Sequence, residues 1–443
     1  MEHYTEIERR KKIRDFVDDF SSEKNFLKSI YNKHSTGFDP KKDYVYYSGP
    51  YWTEEEFVAA IDSLLFGKWV SSGEKVRKFE VKFCREFNQK EAVAVNSGSS
   101  ANLVMIAAAK KLFGWDDEDE VILSVVGFPT TLAPLIQNNL KPVFCDIELD
   151  TLNFDLELVE QAITPKTKAI ILSPVLGNPV DMDRLVSICE KHGLVLLLDN
   201  CDSLGSKWRG KLLSEYALAS SHSFYPAHHI STGEGGLVSS NNTKLVSLAR
   251  SFAWWGRDCY CVGAANLLPE GTCCNRFDNW LPNYDGIVDH KYVFSNIGYN
   301  LKPLDLQGAI GVVQLDKVKE IESRRRNSKS TIESSFLRHV KDIRIPTEKR
   351  EAVTSWFGTP IVCKDRKQKN DLVMFLEKNR IQTRNYFAGN ILLHPAYEHL
   401  GNYREYKNAN TVLDTVFFVG ASPHYDTKVF EYIESVLKND WKN

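Results

Sequence analysis

Ala92-Val93-Ala94-Val95-Asn96-Ser97-Gly98-Ser99-Ser100-Ala101-Asn102-Leu103-Val104-Met105-Ile106-Ala107-Ala108-Ala109-Lys110-Lys111-Leu112 reads as a strand, a polar turn and a helix in succession. The unbroken apolar run at 92–95 suits a strand covered on both faces. The same alternation recurs down the chain, with strand-like runs at 120–126, 142–146, 169–173, 194–199, 220–225 and 236–239. Helical stretches lie between many of them, such as 99–112 and 182–192. Strands alternating with helices predict the α/β class, a mostly parallel sheet covered by helices. A helix over 303–325 then leads to a last segment of strand-like runs (356–362, 415–419) and helices (368–379, 428–437). The expected organisation is an N-terminal helical extension at 1–50, a large domain at 51–325 and a smaller C-terminal α+β domain at 326–443.

The net charge of −2 leaves no global field for nucleic acid or an acidic membrane. The basic stretches at 9–14 and 324–326 are short and read as solvated helix faces. No apolar run approaches the ~20 residues of a membrane helix. The charged start lacks the apolar core of a signal peptide. The expected location is the cytoplasm. Nine cysteines in such a chain predict metal binding, catalysis or burial before disulfides.

Unusual polar residues follow the carboxyl ends of the predicted strands, the edge where open α/β sheets bind ligands. Ser97-Gly98-Ser99-Ser100 opens a helix, so its amides and hydroxyls suit a phosphate, or simply an N-cap. Asp199 ends a Leu/Val run, where a carboxylate needs a partner; a protonated pyridine nitrogen or loop amides both serve. Phe128 can stack on a flat ring or join the core. There is no GxGxxG fingerprint and no P-loop.

Together, Asn96-Ser97-Gly98-Ser99-Ser100-Ala101-Asn102, Gly177-Asn178-Pro179-Val180-Asp181-Met182-Asp183, Ser223-Phe224-Tyr225-Pro226, Gly233-Glu234-Gly235-Gly236 and Gly298-Tyr299-Asn300-Leu301 resemble the sugar-nucleotide aminotransferase family. That family has the aspartate-aminotransferase (type I pyridoxal-phosphate) fold. The resemblance implies that Ser99, Ser100 and Ser223, with Gly98 in the same turn, hold the cofactor phosphate. It implies that Phe128 stacks on the ring and Asp199 pairs with its nitrogen. Asn300 would reach the phosphate of the neighbouring subunit's cofactor, which implies a homodimer with shared sites.

One departure is chemical. The family's aminotransferases carry a lysine shortly after Ser-Phe-Tyr-Pro, where this chain has His228. Imidazole cannot form the Schiff base that a lysine amine forms, but it can shuttle protons. The substitution resembles the 3-dehydrases of deoxysugar biosynthesis. They hold pyridoxamine phosphate (PMP) without covalent attachment and act on nucleotide-linked 4-keto-6-deoxyhexoses. Their histidine takes a proton from the cofactor's 4′ carbon as the C3 hydroxyl leaves. A loop histidine or a dead enzyme is the competing reading.

Cys201 follows Asp199 by two residues; 57 residues further on, Cys259 and Cys261 form a C-x-C pair, followed by Cys273 and Cys274. Four thiolates suit a 2Fe–2S cluster or zinc. The pattern resembles the cluster-bearing 3-dehydrases that act on CDP-4-keto-6-deoxyglucose, with a longer last gap that a loop insertion at 263–271 absorbs. The resemblance implies Cys201, Cys259, Cys261 and Cys273 as ligands, Cys274 being the alternative fourth. It also implies an NADH-dependent iron–sulfur flavoprotein reductase that docks beside Trp254, Trp255 and Tyr260. Cys84, Cys145, Cys189 and Cys363 read as buried structural thiols. CDP, TDP and GDP all remain open for the nucleotide, with Arg384 placed to meet its phosphates. The competing functions are a glutamate-using dehydrase or aminotransferase without a reductase, and a catalytically inactive regulator.

Overall fold

The computed structural model describes residues 5–24, 38–259, 275–346 and 348–441. All seven strand-like runs between 92 and 239 form one seven-stranded sheet. In chain order the elements are α1 (Glu6–Lys24), α2 (Glu54–Phe66), α3 (Glu74–Glu86), β1 (Glu91–Val95), α4 (Gly98–Phe113), β2 (Glu120–Ser124), α5 (Pro129–Gln137), β3 (Lys141–Cys145), α6 (Leu156–Gln161), β4 (Thr167–Leu172), α7 (Met182–His192), β5 (Val195–Asp199), β6 (Ala219–Ser223), β7 (Gly236–Ser240), α8 (Thr243–Ala253) and α9 (Asp305–His339). The sheet order is β1-β7-β6-β5-β4-β2-β3. Only β7 runs antiparallel, to both its neighbours; the other pairs are parallel. The Val/Ile/Leu runs are buried because helices cover both faces. The sheet therefore has the α/β architecture expected from the sequence.

Two strands stop earlier than their apolar patterns suggest. β2 ends at Ser124 and β6 at Ser223, which frees Gly127–Phe128 and Phe224–His228 to turn across the sheet edge.

The helix expected over 303–325 continues to His339, 35 residues in all, roughly 50 Å at 1.5 Å per residue. The expected boundary at 325/326 thus falls inside α9. Its first half packs on α2 and α3, where Gly308 lets it approach the backbone of Val76. Its second half joins a separate core that includes Ile332 and Phe336. That core belongs to a four-stranded antiparallel sheet of β8 (Ile343–Arg344), β9 (Gly358–Cys363), β10 (Thr383–Asn385) and β11 (Val416–Gly420). Helices α10 (Arg366–Lys378), α11 (Lys407–Thr415) and α12 (Thr427–Asn439) pack around it. Among the described residues no helix is long and apolar enough to cross a membrane.

Candidate active site

A cavity of about 750 Å³ opens at the carboxyl edge of the large sheet, facing the small domain. Its floor begins with the turn between β1 and α4. Ser97 has extended backbone and caps α4, its hydroxyl accepting from the Ser100 amide at 3.1 Å. Ser97, Gly98 and Ser99 line the cavity, so the positive end of α4 faces it. Ser100 does not line it; its hydroxyl donates to Asn96 Oδ1 at 2.6 Å. A Cβ on Gly98 would stand 2.5 Å from Ser223 Cβ and 3.1 Å from Cys201 Sγ. Only glycine permits that convergence of three strand ends.

Asp199 ends β5 and lines the cavity. Its Oδ2 accepts from Asn102 Nδ2 (2.8 Å) and Thr131 Oγ1 (2.6 Å). Its Oδ1 accepts from the Cys201 amide at 3.3 Å. Asn102 is fixed in turn by the Ser221 hydroxyl, which donates to its Oδ1 at 2.5 Å. Asn102 lies in the stretch that opens the α4 turn and Thr131 three residues after Phe128, but nothing in the sequence showed that they orient Asp199. Phe128 precedes Pro129 at the start of α5, 52% exposed, and meets Phe387 edge-on at 6.1 Å.

His228 lines the cavity from the turn after β6. Its ring lies 5.2 Å from that of Phe357, and its Nδ1 is 3.6 Å from Asp202 Oδ1. Among the described residues Nδ1 has no hydrogen-bond partner. Burial, and then the Arg325 charge, push the imidazole down to about 3. Burial, and then Asp199, push the Asp202 carboxyl up to about 7. Each charge is penalised alone, and each would be met by the other if formed. Arg325 departs from the expected solvated face: it is 0% exposed, and its guanidinium bonds the backbone of the His228 turn.

Arg384 stands on the opposite wall, its guanidinium 4.0 Å over the Tyr47 ring. Asn300 is exposed and outside this cavity; its Oδ1 accepts from Lys302 Nζ.

The cysteines divide. Cys201 lines the cavity, and burial with Asp199 beside it pushes its thiol well above the ordinary range. Cys259 is 5% exposed, within the large-domain core. Cys261, Cys273, Cys274, Tyr260 and the 263–271 insertion lie outside the described residues. Trp254 is a core residue, 5% exposed, rather than a surface one, while its neighbour Trp255 is exposed. Among the described residues no group of three or more His, Cys, Asp or Glu is arranged to hold a metal. Cys145, Cys189 and Cys363 are buried and Cys84 half-buried; burial pushes the first three to about 12 and Cys84 to about 11.

The sequence profile of the DegT/DnrJ/EryC1/StrS aminotransferase family matches residues 52–438. The chain is 38% identical over 401 residues to dTDP-4-dehydro-2,6-dideoxy-D-glucose 3-dehydratase of Saccharopolyspora spinosa, covering 88% of this chain and 85% of that one. It is 36% identical over 397 residues to the lipopolysaccharide biosynthesis protein RfbH of Salmonella typhimurium, covering 88% and 90%. Among solved structures it superposes on E. coli GDP-4-keto-6-deoxy-D-mannose-3-dehydratase with bound hydrated PLP, with a TM-score of 0.77, 29% identity and coverage of 89% and 99%. The chain belongs to the DegT/DnrJ/EryC1/StrS aminotransferase family.

Proposed function

We propose that this family member is a PMP-dependent 3-dehydratase of a nucleotide-linked 4-keto-6-deoxyhexose. The observation that carries the reading is His228, a histidine where the aminotransferases have lysine, standing on the cavity beside Asp199, Ser99 and Ser223. The cofactor fits the residues present: a glycine-lined helix start for its phosphate, a braced carboxylate for its ring nitrogen and an imidazole whose Nδ1 has no partner among the described residues. When bound, it supplies an amine for the sugar's C4 carbonyl and a protonated ring that accepts electron density.

The remaining work falls to the chain. The Ser97–Ser99 amides and the Ser223 hydroxyl bind phosphate. Asp199, held by Asn102 and Thr131, keeps the proton on the ring nitrogen. Phe128 covers the ring face. His228, neutral at pH 7, takes a proton from the cofactor's 4′ carbon, and the imidazolium it becomes faces Asp202. Phe357 and Phe387 restrict water. Tyr47 and Arg384 would form the sugar-nucleotide wall, and CDP is the nucleotide proposed, from the resemblance of the cysteine pattern to the CDP-4-keto-6-deoxyglucose enzymes.

Cys201, Cys259, Cys261 and Cys273 would hold a 2Fe–2S cluster. Supporting this are their spacing and the place of Cys201 in the cavity wall. A thiolate there is disfavoured by burial and by Asp199 unless a cation offsets it. Replacing a C3 hydroxyl by hydrogen takes two electrons and two protons and releases water. No dinucleotide fingerprint is present, so an NADH-dependent iron–sulfur flavoprotein would supply the electrons.

The assembly proposed is a homodimer. Trp69, Val70, Trp255, Ile297 (96% exposed), Tyr299 and Leu304 form an apolar band near Asn300. Backbone bonds join its segments, Asp305 to Val70 and Trp255 to Tyr299. A second copy would cover the band and bring Asn300 to its partner's cofactor phosphate.

The test is His228→Asn in the cofactor-loaded enzyme. Dehydration should fall about 1,000-fold, within the usual range for a general base, with cofactor affinity unchanged. Full dehydration by this variant sinks the assignment. For the electron route, Cys259→Ser/Cys261→Ser should lose the reduced-cluster paramagnetic signal and the reductase-dependent product together. A colourless wild type that forms 3-deoxy product with glutamate alone would move the reading to the reductase-free kind.

A further inference from the structure

We propose that Arg325 is a positioning residue: its guanidinium fixes the backbone turn that carries His228, and so sets where the imidazole stands in the cavity. Resting on His228 as the proton-moving group, this assigns a role to a residue that touches neither the cofactor-binding turn nor Asp199.

Three segments distant in sequence meet on this one side chain. Nη2 donates to the carbonyls of Ala227 (3.0 Å) and His228 (2.9 Å), with Ser48 Oγ at 3.5 Å. Nη1 donates to the Phe357 carbonyl at 3.2 Å. Ser48 closes the ring by donating to the Ala227 carbonyl at 2.8 Å. Phe357 then packs its ring against His228. Arg325 therefore grips the histidine's own peptide and the backbone of the residue whose ring bounds the imidazole.

Stability alone does not account for such a group. Its hydrogen bonds go to uncharged oxygens, and burial pushes the guanidinium down to about 10. A buried ion can often be replaced by apolar residues at no net cost. The geometry is what only arginine supplies: a rigid planar fork that reaches several carbonyls at once, which an ammonium on a flexible stem cannot copy. Local bonds do not replace it. The His228 amide donates to the Tyr225 carbonyl at 3.0 Å, and His229 Nε2 pairs with the Ser355 carbonyl at 2.8 Å. Neither bond restrains the His228 carbonyl. With Nδ1 unpartnered, the imidazole is held by a hydrogen bond to the Cys201 backbone and by the placement of its own backbone, which Arg325 fixes.

The experiment compares Arg325→Met and Arg325→Lys with wild type in two ways. In the cofactor-free protein, carbethoxylation of each histidine by diethyl pyrocarbonate is followed by peptide mass spectrometry. Labelling of His228 should quicken about fivefold through local opening of its turn, with His222 unchanged. In the loaded enzyme, kcat should fall by about 100-fold, as for a misplaced group, while KM for the nucleotide sugar moves less than about twofold. Arg325→Lys should sit between wild type and Arg325→Met in both readouts. Should Arg325→Met fail to fold, Arg325→Lys alone carries the comparison. Unchanged His228 labelling and unchanged kcat in a folded variant would overturn the role. So would a labelling increase shared equally by all buried histidines, which would mark general loosening. Selective labelling of His228 alongside a wild type without dehydratase activity would keep the clamp and discard the proposed function.

Discussion

His222 and His228 are six residues apart, the first buried and the second half-buried on the cavity wall, and desolvation pushes both down to about 3 from an ordinary 6.5. Their hydrogen bonds separate them. His222 has a partner at each nitrogen, Ser239 Oγ at 2.9 Å and Asn200 Nδ2 at 3.4 Å. His228 leaves Nδ1 without a partner among the described residues, 3.6 Å from Asp202 Oδ1. The first is a core residue; the second is left available for chemistry, at a cost in acid stability that both share. Below pH 6.5 the unfolded chain binds a proton at each site, and the folded chain resists doing so until about pH 3. Stability is therefore lost as pH falls through that window, by about 1.4 kcal/mol per pH unit per histidine. Replacing His222 by Gln should remove one such contribution, flattening the slope by about 1 kcal/mol per pH unit. Urea denaturation at several pH values across the window checks this; an unchanged slope would mean that His222 is already charged in the fold. Asp199 gives the companion prediction. Asp199→Ala removes the acceptor of Asn102 and Thr131 and should weaken cofactor retention by about 100-fold, the usual scale for truncating one side of a buried charged pair. Equilibrium dialysis reads it, and retention within twofold of wild type would end the pairing with the ring nitrogen.

The turn between β1 and α4 shows how an element prepares a site. β1 delivers the chain to the sheet edge, Ser97 caps the helix, and Gly98 lets β6 and the loop after β5 approach. Gly98→Ala keeps the helix and its cap, yet places a methyl group against Ser223 and Cys201. It should lower cofactor affinity at least about tenfold while shifting stability by only about 1 kcal/mol. Titration with PMP and a thermal melt separate the two, and unimpaired binding would show that the edge can yield. Much of this was legible from the sequence. Several strands are unbroken apolar runs, a strong signal for a strand covered on both faces, and the recurring alternation with helices marked the rest, β6 among them although it reads Ala-Ser-Ser-His-Ser. Asp199 stood out as a lone carboxylate ending such a run. Arg325 was hidden because Arg324-Arg325-Arg326 was read as a block of charge. On a helix each successive residue turns about 100°, so Arg324 and Arg326 reach Glu320 and Glu322 on the solvent side while Arg325 turns inward. The extension of α9 to His339 was hidden by the serine-rich stretch after 326. Its inward face, Ser328, Ile332, Ser335 and Phe336, has the helical period but too few apolar residues to declare it.

At the scale of the whole molecule, Asn300 lies outside the cavity of its own chain. Asn300 is exposed, held by Lys302, in the middle of an apolar band that a lone chain would leave in water. Exposed apolar residues of this kind would suit the proposed contact with a second copy. A twofold arrangement gives each site the same contribution from the other chain, so Asn300 and His228 of one active centre would come from different subunits. That has a consequence a monomer, or a dimer with self-contained sites, cannot reproduce. On the proposed assembly Asn300→Asp would set a carboxylate against the partner's phosphate and His228→Asn would remove the proposed base; homodimers of either variant should be inactive. In a mixed dimer the lesions fall together in one site, because the His228→Asn chain's cavity receives the Asn300→Asp side chain. The second site then has His228 and Asn300 both intact. Equal mixing after dissociation gives half the molecules as mixed dimers with one working site of two, so about one quarter of wild-type activity should return. Dehydration assays on refolded mixtures, with sedimentation to confirm the dimer, measure this directly. Recovery to that level requires sites shared across the interface. No recovery from a mixture shown to contain mixed dimers would place both residues in the same centre and remove Asn300 from the partner's site.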